Sequence, residues 1–253
     1  MGIEYQDMKS VLTALKHEAP AERHNLLILG DAQIHFTTQS YVDLAKDVGF
    51  ALASVPRDLD LFSLGNSLGF SRVESLDING KTSLSLDLQQ EIPAGLLGQF
   101  DCLIDAGVLF WCYDPAAALR NIFRLVRDRG LIVHITAVSG HYGRGYYNIH
   151  PSLFEDFYLA NQCDFIHASY RAKPARRRFA GRIRSLFRNT RDAELVSYSF
   201  RPGNVYLKKA TAAHISFGDS QALPESNLIP NNVVGTFVFR KNASGEPRGP
   251  IRL

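Results

Sequence analysis

Residues 24–39, "HNLLILGDAQIHFTTQ", decide how this chain is read. Leu26, Leu27, Ile28 and Leu29 run without interruption into Gly30. Four consecutive apolar residues ending at a glycine suit a short strand buried on both faces. The following "TTQSYVDLAKDVG", residues 37–49, predicts a helix with Thr37 or Thr38 as its cap and Gly49 as its stop. Strand, turn and helix in that order open a nucleotide-binding fold. Turns that cradle a phosphate usually carry two or three glycines, whereas this one has Gly30 followed by Asp31.

Working outward, the same alternation continues. Residues 4–18 place Met8, Val11, Leu12 and Leu15 on one helical face, and Pro20 breaks that helix. "SRVESLDI" predicts a second strand ending at Asp77, "SLDL" a short extended piece, and "FDCLIDAGVLF" a third, buried strand. "DPAAALRNIFRLVRDRG" predicts a helix with Asp114 as N-cap, Pro115 first and Gly130 as stop. "LIVHITAV" gives a fourth strand, and "HPSLFEDFYLANQC" a helix with His150 just ahead of Pro151. "ELVSYSF" and "VVGTFVFRK" predict two last strands with no helix between them, an antiparallel pair at one sheet edge. The fold expected is α/β and Rossmann-like: a largely parallel seven-stranded sheet, helices on both faces, and an antiparallel edge strand.

Bulk properties exclude several classes. Of 253 residues, 45% are hydrophobic and 21% charged, which suits a folded globular protein. Acids and lysines interrupt the first twenty residues, so no signal peptide is expected. No run reaches the roughly 18 apolar residues of a membrane span. Cys102, Cys112 and Cys163 show no CxxC spacing, so neither a disulfide scaffold nor a metal site is expected. A reducing cytoplasm is the simplest location. The net charge of +3 is unevenly spread: "RAKPARRRFAGRIRSLFRNTRD", residues 171–192, holds nine of the 28 basic residues and one of the 25 acids. Phe179, Ile183, Leu186 and Phe187 recur there at helical spacing. This basic helix either covers the sheet as a solvated face or binds an acidic partner. Nucleic acid is not expected, since no aromatic stacking platform accompanies the arginines.

In an open α/β sheet, ligands bind beyond the carboxyl ends of the strands. Those ends are Gly30 with Asp31, then Asp77, then Asp105 with Gly107, then Ser139, Gly140 and His141. An acid ending the second strand commonly holds a ribose, because a carboxylate accepts two hydrogen bonds. Asp87 follows, where it can accept a bond from an adenine amino group. Asp31 either caps the next helix or faces the ligand.

"VESLDI", "SLDLQQEIP", "FDCLIDAGVLF" and "DPAAALRNIFRLVRDRGLIVHI" together resemble the class I S-adenosylmethionine-dependent methyltransferases, over about residues 25–165. "SGHYGRGYYNIHPSLFEDFYLANQC" is similar to a subgroup with a glycine–histidine–aromatic loop after the fourth strand. The resemblance implies one methyltransferase-like domain over residues 1–253. Within it would lie an N-terminal helix (1–20), a cofactor-binding core (24–170) and the basic helix (171–192). Terminal strands with a loop insertion (193–241) and a flexible tail (242–253) would complete it. It implies S-adenosyl-L-methionine as cofactor and a small-molecule acceptor methylated on oxygen or nitrogen. It also implies cofactor contacts from Gly30, Asp31, Asp77 and Asp87, and contacts through the backbone of Asp105 and Gly107. Other chemistry on the same cofactor, cyclisation or elimination, and a non-catalytic partner-binding module remain alternatives.

The chain departs from the family pattern in three places. The glycine-rich turn is reduced to "GDAQ". Gly30 and Asp77 stand 47 positions apart, against about 20 in dinucleotide-binding folds. "LFWCYD" puts Phe110 and Trp111 where many relatives carry an acid and a histidine. A carboxylate at residue 31 would repel a pyrophosphate, whereas adenosylmethionine has no phosphate and carries a cationic amine and a sulfonium. NAD is therefore not expected. For proton transfer, "GHYGRGYYNIH" offers His141 and His150, with Tyr142, Tyr146 and Tyr147 to orient a substrate and Arg144 to hold an anion. The alternative is a surface loop whose tyrosines pack on the body. His134, inside the fourth strand, is expected to be a core histidine. Trp111 either stacks on a ligand or packs in the core.

Overall fold

The computed structural model describes residues 2–18, 23–141, 143–172, 232–242 and 245–250. Its elements run α1 (Tyr5–Glu18), β1 (Asn25–Leu29), α2 (Thr38–Val48), α3 (Leu61–Ser67), β2 (Arg72–Asp77) and β3 (Leu84–Ser85). β4 (Phe100–Asp105), α4 (Pro115–Leu125), β5 (Val126–Ser139), α5 (Pro151–Ala160), β6 (Asp164–Ala172) and β7 (Val233–Arg240) follow. The seven strands form one sheet in the order β3-β2-β1-β4-β5-β7-β6. β1, β2, β3, β4 and β5 pair in parallel, while β7 runs antiparallel to both β5 and β6. The antiparallel strand therefore sits one place inside the edge, and β6 is the edge itself.

Side chains alternate across the strands, so each strand feeds two cores. Leu26 and Ile28 of β1, Cys102 and Ile104 of β4 and Val234 and Val238 of β7 face one layer. There they meet Met8, Leu12 and Leu15 of α1, Tyr41 and Leu44 of α2 and Leu64 of α3. Leu27, Leu29, Leu103, Ile132, Phe237 and Phe239 face the other, against Leu119 and Ile122 of α4 and Phe154, Phe157 and Tyr158 of α5. Burial on both faces explains why the strands read as continuous apolar runs.

Helix ends follow local chemistry. Thr37 caps α2 through a capping box with Ser40, and Gly49 closes it in the left-handed conformation at φ 71°. The cap is thus Thr37, which removes Asp31 from that role. Asp114 caps α4 by accepting from the Ala117 N–H at 2.9 Å, with Pro115 at the first position. Gly130 is not the stop of α4, contrary to expectation. The helix ends at Leu125, and β5 begins at once with a bulge against Phe100 and Cys102. Gly130 lies inside that bulge, where an added Cβ would meet Val126 Cγ1 at 2.5 Å and the Asp101 carbonyl at 2.9 Å. β4 also ends earlier than expected, at Asp105, with Leu109–Trp111 forming a 3-10 turn.

β6 and α3 were not foreseen. β6 alternates polar residues toward α1: Arg171 pairs with buried Asp7 at 2.9 Å, and Ser169 shares a hydrogen bond with Ser10 at 2.7 Å. Arg171 and Ala172, expected to open the basic helix, belong to β6. The rest of that segment, and "ELVSYSF", lie outside the described residues. Among the described residues, no helix is long and apolar enough to cross a membrane, and no cluster of His, Cys, Asp or Glu could hold a metal ion.

Candidate functional site

The strand order runs outward in opposite directions from the β1/β4 junction, which is the topological switch point of the sheet. Parallel register sets Leu29 beside Leu76 on one side and Asp105 on the other. The turns after β1, β2 and β4 therefore open side by side. They enclose a cleft of about 430 Å³, whose lining includes Gly30, Asp31, Asp77, Asp87, Gly107 and Trp111.

Each wall has a local cause. Gly30 takes φ 92°, a conformation that favours glycine, and its N–H donates to the Leu76 carbonyl at 2.7 Å. Any Cβ there would stand 3.0 Å from Val108. The Asp77 carboxylate is held at both ends: Oδ2 accepts the Asp31 N–H at 3.1 Å and Oδ1 the Asn79 N–H at 3.0 Å. Asp87 Oδ1 accepts the backbone and side-chain N–H groups of Gln89 at 2.9 and 3.1 Å. Gln89 in turn accepts the Asp114 N–H at 2.8 Å, which ties this wall to the start of α4.

Asp105 is fully buried, and its side chain does not line the cleft. It folds the adjoining turn instead: Oδ1 accepts the N–H groups of Gly107 at 3.1 Å, Val108 at 2.7 Å and Leu109 at 3.4 Å. Gly107, at φ 87°, and Val108 then face the cleft. The Cys112 thiol on the same wall is pushed up to about 12, first by burial and then by Asp105, Asp87 and Asp114. It stays protonated near neutrality and is no nucleophile there.

Of the proton-transfer and substrate-orienting groups expected from this loop, none among the described residues lines the cleft, and Tyr142 lies outside the described residues. His141 follows Gly140 in left-handed backbone at φ 57°, and its N–H donates to Asn232 at 2.7 Å. His150 is the N-cap of α5, with Nδ1 at 2.8 Å from the Ser152 hydroxyl and 3.3 Å from the Ser152 N–H. Tyr146 is 67% exposed. Its N–H and that of Tyr147 both donate to the Phe110 carbonyl, at 2.8 and 3.3 Å, and the Tyr147 hydroxyl donates to the Tyr113 carbonyl at 3.0 Å. These contacts hold residues 145–147 beside the Phe110–Trp111 turn. Trp111, 48% exposed, lines the cleft.

Gln89 and Asn79 were missed by sequence reasoning. Each stands two residues after its aspartate, the spacing of a local side-chain turn, and that was the available signal. His134 is a core histidine as expected, but one with partners on both ring nitrogens.

A larger cleft, about 550 Å³, includes Arg124, Arg127, Lys241 and Glu246 in its lining. It lies at the other end of β5, beside Val126. Its cations are engaged: Arg124 with Glu246, Arg127 with Asp101, and Lys241 Nζ with the carbonyls of Phe123 at 3.0 Å and Val126 at 2.7 Å. It is a capped helix end, away from the switch point.

No family model matches this chain, and no curated protein does. Among solved structures, it is similar to a SAM-dependent methyltransferase from Archaeoglobus fulgidus, with 11% identity over 94% of each chain and a TM-score of 0.43. It is similar to the cyclase SpnF, with 17% identity over 65% of this chain and 59% of that one, at a TM-score of 0.35. It is also similar to the CurJ carbon methyltransferase, with 10% identity over 94% of this chain and 54% of that one, at a TM-score of 0.36. The Rossmann-like α/β fold stands on the chain's own strand order and its inserted antiparallel β7.

Proposed function

We propose that the chain binds S-adenosyl-L-methionine in the switch-point cleft and transfers its methyl group to a small molecule. The observation that carries this reading is the charge of the cleft. Asp31, Asp77 and Asp87 line it, and among the described residues no lysine or arginine does. A dinucleotide would bring its pyrophosphate to the turn after β1, against Asp31. Adenosylmethionine would bring its cationic amine, with the sulfonium nearby, to Asp31, while its ribose meets Asp77 and its adenine meets Asp87. The transferred methyl is already activated, so alignment supplies much of the catalysis. An acceptor would enter past Trp111 and Tyr146. His141, at the carboxyl end of β5, is the first candidate for removing its proton.

A second reading, cyclisation or elimination on the same cofactor, is favoured by one observation. Among the described residues lining the cleft there is no histidine, and an internal displacement needs only alignment.

Calorimetry with adenosylmethionine and with NAD tests the site. Binding of the first and not the second is expected, and NAD binding would overturn the reading. Product analysis separates the reactions: S-adenosylhomocysteine marks methyl transfer, and methylthioadenosine marks internal displacement.

A further inference from the structure

Behind the cleft wall lies a buried chain of three side chains from three elements. Asp105 ends β4, His134 lies within β5, and Tyr158 lies on α5. All three are 0% exposed. His134 Nδ1 is 2.9 Å from Asp105 Oδ2, and His134 Nε2 is 2.7 Å from the Tyr158 hydroxyl. Phe154 stacks on the imidazole at 4.4 Å between ring centres, and Phe239 stacks on the Tyr158 ring at 4.2 Å. Water has no access, so each polar atom must be satisfied inside the protein.

One assignment of protons does this. Tyr158 O–H donates to Nε2, Nδ1–H donates to Asp105 Oδ2, and Asp105 Oδ1 accepts the N–H groups of residues 107–109. In the reverse tautomer Nε2–H would donate to the Tyr158 oxygen, leaving the Tyr158 O–H without an acceptor and Oδ2 without a donor. Burial pushes the Tyr158 phenol well above its ordinary value, which keeps that O–H protonated.

We propose that His134 is a positioning residue for the ligand cleft. Through Asp105 it holds the turn at residues 107–109, and through Tyr158 it ties that turn to α5. Gly107 and Val108 are the part of this turn that lines the cleft. α5 begins at Pro151, directly after its cap His150, where the histidine- and tyrosine-bearing loop ends. The chain thus joins the two parts of the molecule that cofactor and acceptor would meet. The affinity arm of the test below rests on the adenosylmethionine reading; the exchange arm does not.

The test compares His134→Asn, His134→Leu and Tyr158→Phe in the full chain. The Asn amide nitrogen is bonded to Cγ, as Nδ1 is, and can donate to Asp105, whereas Leu fills similar space without a donor. Amide hydrogen exchange is read at residues 107–109, and S-adenosylhomocysteine affinity by calorimetry. His134→Leu should speed exchange and weaken binding by roughly tenfold or more, the scale of one lost charge-assisted hydrogen bond. His134→Asn should stay close to the native protein in both. If the two variants exchange alike, whether both native or both loosened, the proposal fails. Tyr158→Phe should loosen the same turn by a smaller factor, and native exchange in that variant would break the link to α5. Should His134→Leu not fold, Tyr158→Phe decides alone. If the exchange rates separate Leu from Asn while the native protein binds no S-adenosylhomocysteine, the cofactor reading falls and the positioning role stands.

Discussion

Asp77 already accepts one backbone N–H on each oxygen, and a carboxylate has about four acceptor positions. Two remain for the hydroxyls of a ribose. Losing a hydrogen bond to a charged group costs about 1.5–3 kcal/mol, so Asp77→Ala should weaken adenosylmethionine binding by about tenfold or more. Unchanged affinity in a folded variant would remove Asp77 from the site. His141 poses a sharper question, since its imidazole is not among the groups lining the cleft. If it is the general base, His141→Ala should lower turnover about 10²–10⁴-fold at unchanged cofactor affinity. Native turnover from that variant and from His150→Ala would turn the reading toward internal displacement. Sequence placed five expected contact residues, Gly30, Asp31, Asp77, Asp87 and Gly107, around one cleft. It did so because strand ends in a parallel sheet share one edge. It could not show that Asp105 turns inward, since that depends on His134, 29 positions away.

At the level of elements, what could be read locally was read well. Thr37, Gly49, Asp114 and Pro115 act within a turn of their own helices, and each does what its type predicts. β6 failed because its polar residues find partners on α1, more than 150 positions earlier. Gly130 failed because a glycine after an apolar run can mean a helix stop or a close approach, and only the neighbouring strand distinguishes them. Gly145 shows what such an approach demands. It takes φ 69°, and a Cβ there would fall 2.0 Å from the Phe110 ring. Gly145→Ala should move the Tyr146 and Tyr147 loop off Phe110 and destabilise the fold by more than about 1 kcal/mol. If that loop orients the acceptor, kcat/KM for the acceptor should fall while adenosylmethionine affinity holds. Equal loss of both would place the loop in the cofactor site.

At the level of the whole molecule, the alternation of strand and helix predicted the sheet and its two covered faces. The place of β7 between β5 and β6 is a property of long-range pairing that alternation does not encode. The same two-faced burial has a consequence for pH. Cys102 on one face and Cys112 and Cys163 on the other are all pushed from 9.0 to about 12, chiefly by burial, and Tyr41 from 10.0 to about 12. In each case the folded state binds the proton more tightly than the unfolded chain does. Their contribution to stability is therefore fully present below pH 9. It is lost as pH rises from 9 toward 12, because the unfolded chain ionises first. Fully buried Cys102 alone should contribute a slope of about 1.4 kcal/mol per pH unit in that window. Denaturant midpoints should hold steady between pH 7 and 8.5 and fall steeply above 9.5. Substituting Cys102 with Ala should lower stability at neutral pH but flatten that alkaline fall. A midpoint that falls equally steeply in both proteins would assign the alkaline loss to other groups.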